Sequence, residues 1–285
     1  MSGPITLRCP AKINVVLRVL AREADGYHGL ETIFCRVALA DELVVDRTGS
    51  GITLLVEGAD LGPVEENLAW RAADAVLAAT GRPFGVAMRL TKRIPAGAGL
   101  GGGSSDAAAA LLAVNQLANN AVPRSELFNM ASRLGADVPF FLMQAPQALA
   151  WGHGQRMLRL PALPDRPLLL VLPEIAVATA EAYRWVDELL ASRGARGAVA
   201  LDLDLLTNWS DLARLGGNDF ESVVFGRHPE VKAAFEALAQ TRPLLCRMSG
   251  SGSGLFGVYR SEADRDEAMA MLGSRHGRLV ATGLG

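Results

Sequence analysis

The chain has 285 residues, half of them apolar and a fifth charged, with 28 basic side chains against 30 acidic ones for a net charge of −2. That length carries one large domain or two packed ones. The lack of a basic excess argues against a nucleic-acid ligand, and apolar runs such as Pro167–Pro173 stop far short of the roughly 20 residues of a membrane span. Cys9, Cys35 and Cys246 are widely spaced and fit no zinc pattern. No basic segment followed by an apolar one opens the chain, so a cytoplasmic protein without disulfides is expected.

Ile13–Leu20 and Arg36–Asp46, rich in β-branched and aliphatic residues, read as strands. Glu65–Thr80 reads as a helix with Leu68, Ala72, Ala73, Val76 and Leu77 on one face, closed by Gly81-Arg-Pro83. Val86, Met88 and Leu90 alternate with Ala87, Arg89 and Thr91, the period of a half-buried strand. A glycine-rich loop from Pro95 leads into an Ala- and Leu-rich helix over about Ser104–Leu117, and Arg124–Leu134 is a further helix after Pro123. Pro161, Pro164 and Pro167 break the pattern, and a domain boundary is expected there, giving domains 1–160 and 161–285. Beyond it helices (about 180–191, 218–226, 229–240, 261–273) mix with strands (168–172, 244–248, 254–259, 278–282). The class is α+β, or mixed α/β, in two domains.

The loop Pro95-Ala-Gly-Ala-Gly-Leu-Gly-Gly-Gly-Ser-Ser105 carries the most chemistry. Its glycines let backbone N–H groups turn toward a ligand. The helix that follows adds unpaired N–H groups and the positive end of its dipole, so the loop suits a polyphosphate. Ser104 or Ser105 would cap that helix, or turn its hydroxyl toward a phosphate. Gly97–Gly102 satisfies G-x-G-x-x-G, but the acidic residue a dinucleotide fold wants about 20 positions on is missing. There is no G-x-x-x-x-G-K-[ST], and no H-R-D or D-F-G. Only three of the basic residues are lysines, Lys12, Lys92 and Lys232, which asks of each whether arginine was unacceptable there.

This loop, with Lys12 and the second glycine cluster Met248-Ser-Gly-Ser-Gly-Ser-Gly254, resembles the GHMP kinases. Pro10-Ala-Lys-Ile-Asn14, Ala24-Asp-Gly-Tyr-His28, Leu134-Gly-Ala-Asp-Val-Pro-Phe-Phe141 and Gly217-Asn-Asp-Phe-Glu221 narrow the resemblance to the branch acting on a cytidine-diphosphate-linked methylerythritol. The implied fold is an N-terminal domain like ribosomal protein S5 domain 2 with a ferredoxin-like C-terminal domain. The implied reaction moves the γ-phosphoryl of ATP, with Mg2+ held mostly by phosphates and water, to a tertiary 2-hydroxyl in the non-mevalonate isoprenoid route. A different GHMP alcohol, such as homoserine or mevalonate, is the nearer alternative; a catalytically silent nucleotide sensor on this fold is the other, and a nicotinamide oxidoreductase the weakest. No membrane or nucleic-acid partner is expected, and the chain is expected to act as a monomer or weak homodimer.

The resemblance also implies roles. Asp137 takes the hydroxyl proton, although Asp ahead of Val-Pro also suits a helix N-cap. Lys12 favours the developing alkoxide. Pro95, Ala96, Gly97, Ala98, Gly99, Leu100, Gly101, Gly102, Gly103, Ser104 and Ser105 receive ATP, and Asn67 offers its amide to the adenine edge unless it serves only the helix start. Tyr27 stacks on the cytosine and His28 reads its polar edge. Thr179 and Tyr183 face the same cytidine, Tyr183 fitting an amphipathic helix equally well, and Asn14 contacts substrate beside Lys12. Asp106 stands where relatives carry Asn and is assigned no metal.

Overall fold

The computed structural model describes residues 3–22, 28–152, 154, 156–193 and 202–285. They form two compact units, and the long strands β1 (Ile5–Arg22) and β2 (His28–Thr48) each run from one into the other.

The first unit comprises Met1–Ala11, Leu39–Pro95 and Gly101–Ala145. Here β4 (Gly85–Thr91) pairs antiparallel with β2 and parallel with β3 (Ile52–Glu57). Leu43 and Val45 of β2 stand opposite Leu90 and Met88 of β4, and all four are buried. Parallel neighbours need a crossover, which α1 (Leu68–Ala79) supplies. Its buried residues Ala69, Ala72, Ala73, Val76 and Leu77 fall on one stripe. They meet α2 (Gly102–Leu117), an alanine-rich helix buried nearly all round, which also packs on α3 (Arg124–Leu134) and α4 (Val138–Met143). Alanine keeps both helix propensity and close approach where three helices crowd a fourth.

The second unit comprises Lys12–Ala38, Ala96–Leu100 and Pro146–Gly285. The first half of β2 pairs with β5 (Gln147–Gly152), and β5 with β6 (Arg156–Leu160), both antiparallel. Residues 161–167 carry no helix or strand. A second sheet then combines β7 (Leu168–Leu172), β8 (Leu245–Met248), β9 (Leu255–Val258) and β10 (Arg278–Thr282) in the order β10-β7-β9-β8, antiparallel throughout. Helices α5 (Thr179–Arg193), α6 (Trp209–Arg214), α7 (Phe220–Arg227) and α8 (Pro229–Gln240) separate β7 from β8, and α9 (Glu262–Leu272) separates β9 from β10. This is the ferredoxin-like β-α-β-β-α-β plan. The core joins Leu169 and Val171 to Val186, Phe220, Val224, Val231, Leu238 and Leu255, and to Leu17 and Val19 from β1.

Two helix starts in the first unit differ from expectation. The helix expected at Glu65 begins at Leu68, after a 3₁₀ turn over Val64–Glu66, because Asn67 caps it. The helix expected at Ser104 begins at Gly102. Short α4, α6, β3, β5 and β6 are additional to the elements read from the sequence.

Candidate active site

In the second unit the site is built around Lys12. It is 3% exposed. Its ammonium donates to Asn14 Oδ1 at 2.6 Å and to the carbonyl of Gly99 at 2.8 Å, and lies 5.6 Å from the centre of the Phe34 ring. Such a pocket suits a compact ammonium with tetrahedral donors better than a planar guanidinium. Asn14 supports it: its Oδ1 also accepts from Gly250 N–H at 3.0 Å, and its Nδ2 donates to Thr32 Oγ1 at 2.8 Å. Thr32 in turn donates to Val16 O at 2.7 Å. Asn14 therefore orients Lys12 within the folded chain.

The two glycine clusters meet here, backbone against backbone. The motif Met248–Gly254 forms the turn between β8 and β9. Ser249 Oγ donates to Gly99 O at 2.9 Å. A Cβ on Gly99 would stand 2.0 Å from Ser249 O, and one on Gly254 would stand 2.4 Å from Ala98 O. Gly97, Gly99 and Gly250 also hold positive φ angles of 71°, 70° and 57°, a region that L side chains enter at a cost. Lys12 N–H bonds to Leu100 O at 2.9 Å, closing the loop onto β1.

In the first unit, α2 begins at Gly102 with Gly101 (φ 71°) as an N-cap that gives no side-chain hydrogen bond. Ser104 and Ser105 therefore lie inside the first turns rather than at the cap, a correction to the expected helix start. Ser105 is 2% exposed. The first-turn N–H groups have no intrahelical acceptor and point out of the helix end, where an anion is favoured. Ser104 Oγ is 3.9 Å from where a Cβ on Gly135 would stand, so α2 begins beside the turn that carries Asp137. Asp137 occupies the N-cap position of α4 without capping it through its side chain. Of the two readings of that Asp-Val-Pro sequence, side-chain capping is the one the geometry lacks.

Beneath Gly102 lies a buried ion cluster. Lys92 Nζ bonds to Asp41 Oδ2 and, at 2.7 Å, to Asp106 Oδ2. It sits 3.2 Å from where a Gly102 Cβ would be. Asp41 Oδ1 also accepts the N–H groups of Arg93 and Ile94, whereas Asp106 Oδ1 is buried with no hydrogen-bond partner. Two carboxylates thus share one ammonium, and the less satisfied of them favours a proton. Burial first, and then Asp41, push the Asp106 carboxyl up to about 7 against the pull of Lys92. Burial likewise pushes the neighbouring Cys9 thiol up.

Asn67 Oδ1 accepts from Ala69 N–H at 2.9 Å, so this side chain caps α1. Thr179 Oγ1 lies 3.1 Å from Ser251 Oγ, joining the start of α5 to the glycine turn. Tyr183 packs edge-on against Phe220, ring centroids 5.0 Å apart, within the second core. Tyr27 lies outside the described residues, as does the side chain of His28, whose backbone opens β2. Two features escape sequence reasoning: the Lys92–Asp41–Asp106 cluster, and the hold of Asn218 Nδ2 on the Met248 and Gly250 carbonyls of the glycine turn. The rarity of lysine was the available signal for the first, and the Gly217–Glu221 block for the second.

The sequence matches two family models, described as GHMP kinases N terminal domain over residues 67–145 and GHMP kinases C terminal over residues 198–279. It is 42% identical over 275 residues to a 4-diphosphocytidyl-2-C-methyl-D-erythritol kinase of Solibacter usitatus, covering 94% of this chain and 85% of that one. The structure is similar to a crystal structure of 4-(cytidine 5'-diphospho)-2C-methyl-D-erythritol kinase, with a TM-score of 0.83, 40% identity and 99% of both chains covered. A homoserine kinase from Cytophaga hutchinsonii shares the fold at a TM-score of 0.70 and 18% identity, over 100% of this chain and 95% of that one.

Proposed function

The chain belongs to the GHMP kinases, and from that premise we propose that it is a 4-diphosphocytidyl-2-C-methyl-D-erythritol kinase. It transfers the γ-phosphoryl of ATP to the 2-hydroxyl of that alcohol, giving the 2-phosphate and ADP, in non-mevalonate isoprenoid precursor synthesis. The observation that carries this reading is similarity to kinases of that name along nearly the whole chain, at an identity more than twice that to the homoserine kinase.

The residue roles are part of the proposal. The phosphates of ATP lie along Pro95–Ser105, where positive-φ glycines and the first-turn N–H groups of α2 supply donors without side-chain interference. The acceptor oxygen attacks the γ-phosphorus, the bond to the β–γ bridging oxygen breaks, and Asp137 takes the hydroxyl proton. Lys12, held by Asn14 and Gly99, offsets negative charge as the alkoxide develops. Asn67 borders the adenine and Asn14 the acceptor, while Tyr27, His28, Thr179 and Tyr183 receive the cytidine. Among the described residues no group of three or more His, Cys, Asp or Glu side chains could hold a metal. We assign Mg2+ mostly to the phosphates and to water, since it keeps several waters when bound.

We place the boundary between the two matched sequence stretches near residue 160, at the start of the irregular segment 161–167, while the compact units themselves interleave along the chain. Among the described residues no helix is long and apolar enough to cross a membrane, and we assign the enzyme to the cytoplasm as a monomer or weak homodimer. A coupled assay of ADP release tests the function on the cytidyl alcohol, homoserine and mevalonate. Turnover of the first alone is expected; comparable turnover of either other alcohol rejects the assignment.

A further inference from the structure

The Gly217–Glu221 block binds nothing in the scheme above, yet it is wired into the Lys12 site. Asn218 is 4% exposed. Its Nδ2 donates to two carbonyls of the glycine turn, Met248 O at 2.8 Å and Gly250 O at 2.7 Å, and its Oδ1 accepts from Phe220 N–H at 2.9 Å, at the start of α7. Asparagine supplies two donors on one nitrogen and an adjacent acceptor on a short stem, which is what those three partners require. Neighbouring bonds hold the block in place. Leu17 N–H bonds to Gly217 O at 3.1 Å and Asp219 N–H to Leu17 O at 3.0 Å, tying it to β1, the strand that carries Lys12 and Asn14. Glu221 Oε1 accepts Met248 N–H at 2.9 Å.

The chain of contacts ends on the ammonium. Gly250, gripped by its carbonyl, presents its N–H to Asn14 Oδ1, the same oxygen that receives Lys12 Nζ. A Cβ on Gly250 would stand 3.4 Å from that Nζ, so this peptide also forms a wall of the ammonium's pocket. We propose that Asn218 is a positioning residue for phosphoryl transfer: by holding the Met248 and Gly250 carbonyls it sets the Gly250 peptide that, through Asn14, fixes Lys12. It touches no substrate. Its removal lowers kcat, because a small displacement of a charge-stabilising group costs rate more than binding. The inference rests on the reading of Lys12 given above.

The test compares wild type with Asn218→Asp and Asn218→Ala. The aspartate keeps the shape and the acceptor for Phe220 N–H, so α7 still starts, but it turns an oxygen toward two carbonyls. A protonated carboxyl can again donate to one of them. The expected result is a kcat lowered about 10–100-fold at about pH 8 with KM for either substrate little changed. The Asp variant recovers toward wild type as the pH falls to about 5.5, and the Ala variant does not. Charged neighbours Lys12, Asp219, Glu221 and Arg247 are common to all three proteins, and the Ala variant, which adds no carboxyl, serves as the control for any pH dependence that does not come from position 218. Amide hydrogen exchange supplies a readout without substrate: Gly250 N–H should exchange faster in the Asp variant while Phe220 N–H stays protected. Unchanged Gly250 exchange overturns the inference, and so does a wild-type kcat in Asn218→Asp, even with a lowered melting temperature. A wild type inactive on the cytidyl alcohol rejects the functional reading instead, and the Gly250 exchange still decides the positioning link.

Discussion

Three lysines in a chain that otherwise uses arginine for positive charge divide by what surrounds them. Lys232 lies on the surface, 3.7 Å from Glu236 one helical turn on, where a pair contributes about 0.3–0.5 kcal/mol and arginine would serve as well. Lys92 and Lys12 are buried, each with its ammonium on chosen oxygens. At Lys12 the neighbours are a side-chain amide oxygen, a backbone carbonyl and the Phe34 ring, a set that fits a compact ammonium, so Lys12→Arg keeps the charge and loses the fit. We expect kcat to fall at least about 100-fold, since a misplaced electrostatic group forfeits most of its worth. Asp137→Asn keeps the shape of the side chain and should cost about 10²–10⁴-fold in kcat, the usual range for losing a general base. Groups that act as a unit are non-additive, so the double variant should be hardly worse than the poorer single one. An Asp137→Asn enzyme retaining more than about a third of wild-type kcat would remove the proton acceptor from the mechanism.

Elements with strong periodicity were legible in the sequence. Arg124–Leu134, Pro229–Gln240, Leu168–Leu172 and Arg278–Thr282 stand as read, because a full apolar stripe or an unbroken apolar run leaves little choice of period. Short α4 and α6, of six residues each, offer too few turns to show one. What the glycines do was legible only as a class. Gly99 and Gly103 look alike in sequence, yet Gly99 has positive φ and no room for a Cβ, whereas a Cβ on Gly103 would meet nothing closer than Leu68 Cδ1 at 3.8 Å. Gly99→Ala should therefore destabilise the protein by about 1–3 kcal/mol, and Gly103→Ala, inside a helix, should stabilise it by about 0.5–1 kcal/mol. Denaturant melts check both, and equal effects would contradict the packing described. The start of α2 also carries a pH signature. Asp106 takes up its proton more readily in the folded chain than its ordinary value of 3.8 allows, its carboxyl being pushed up to about 7. Its contribution to stability is thus complete below the ordinary value and is lost as the pH rises through about 7. Asp106→Asn, neutral throughout, should gain stability relative to wild type between about pH 5 and about pH 8. A difference that does not vary with pH would mean that Asp106 stays ionised beside Lys92.

At the scale of the whole molecule, one cut in the sequence does not separate the two compact units. The proline-rich segment marks a change of pattern, but the unit that holds residues 161–285 also claims Lys12–Ala38, Ala96–Leu100 and 146–160. Periodicity cannot reveal this, because which strands share a core is decided by pairings between residues far apart in sequence. Leu17 and Val19 of β1 lie in the same buried cluster as Leu169, Val171 and Phe220. Ala38 N–H bonds to Gly283 O at 2.9 Å, and Leu17 pairs with the Gly217–Asp219 turn. A fragment of residues 161–285 would therefore expose the core side of those contacts and leave backbone groups of 217–219 and 283 without their partners. Each large apolar side chain withdrawn from such a core costs about 2–5 kcal/mol, and the total stability of a domain is only about 5–15 kcal/mol. The fragment expressed alone should accordingly show no cooperative denaturant transition and poor amide dispersion, although it contains all four strands of the second sheet. Adding a separately expressed 1–160 fragment should restore both, since it returns β1, β2 and the Ala96–Leu100 loop. A cooperative transition in the isolated 161–285 fragment would show that the β7–β10 sheet and its helices need nothing from the N-terminal strands.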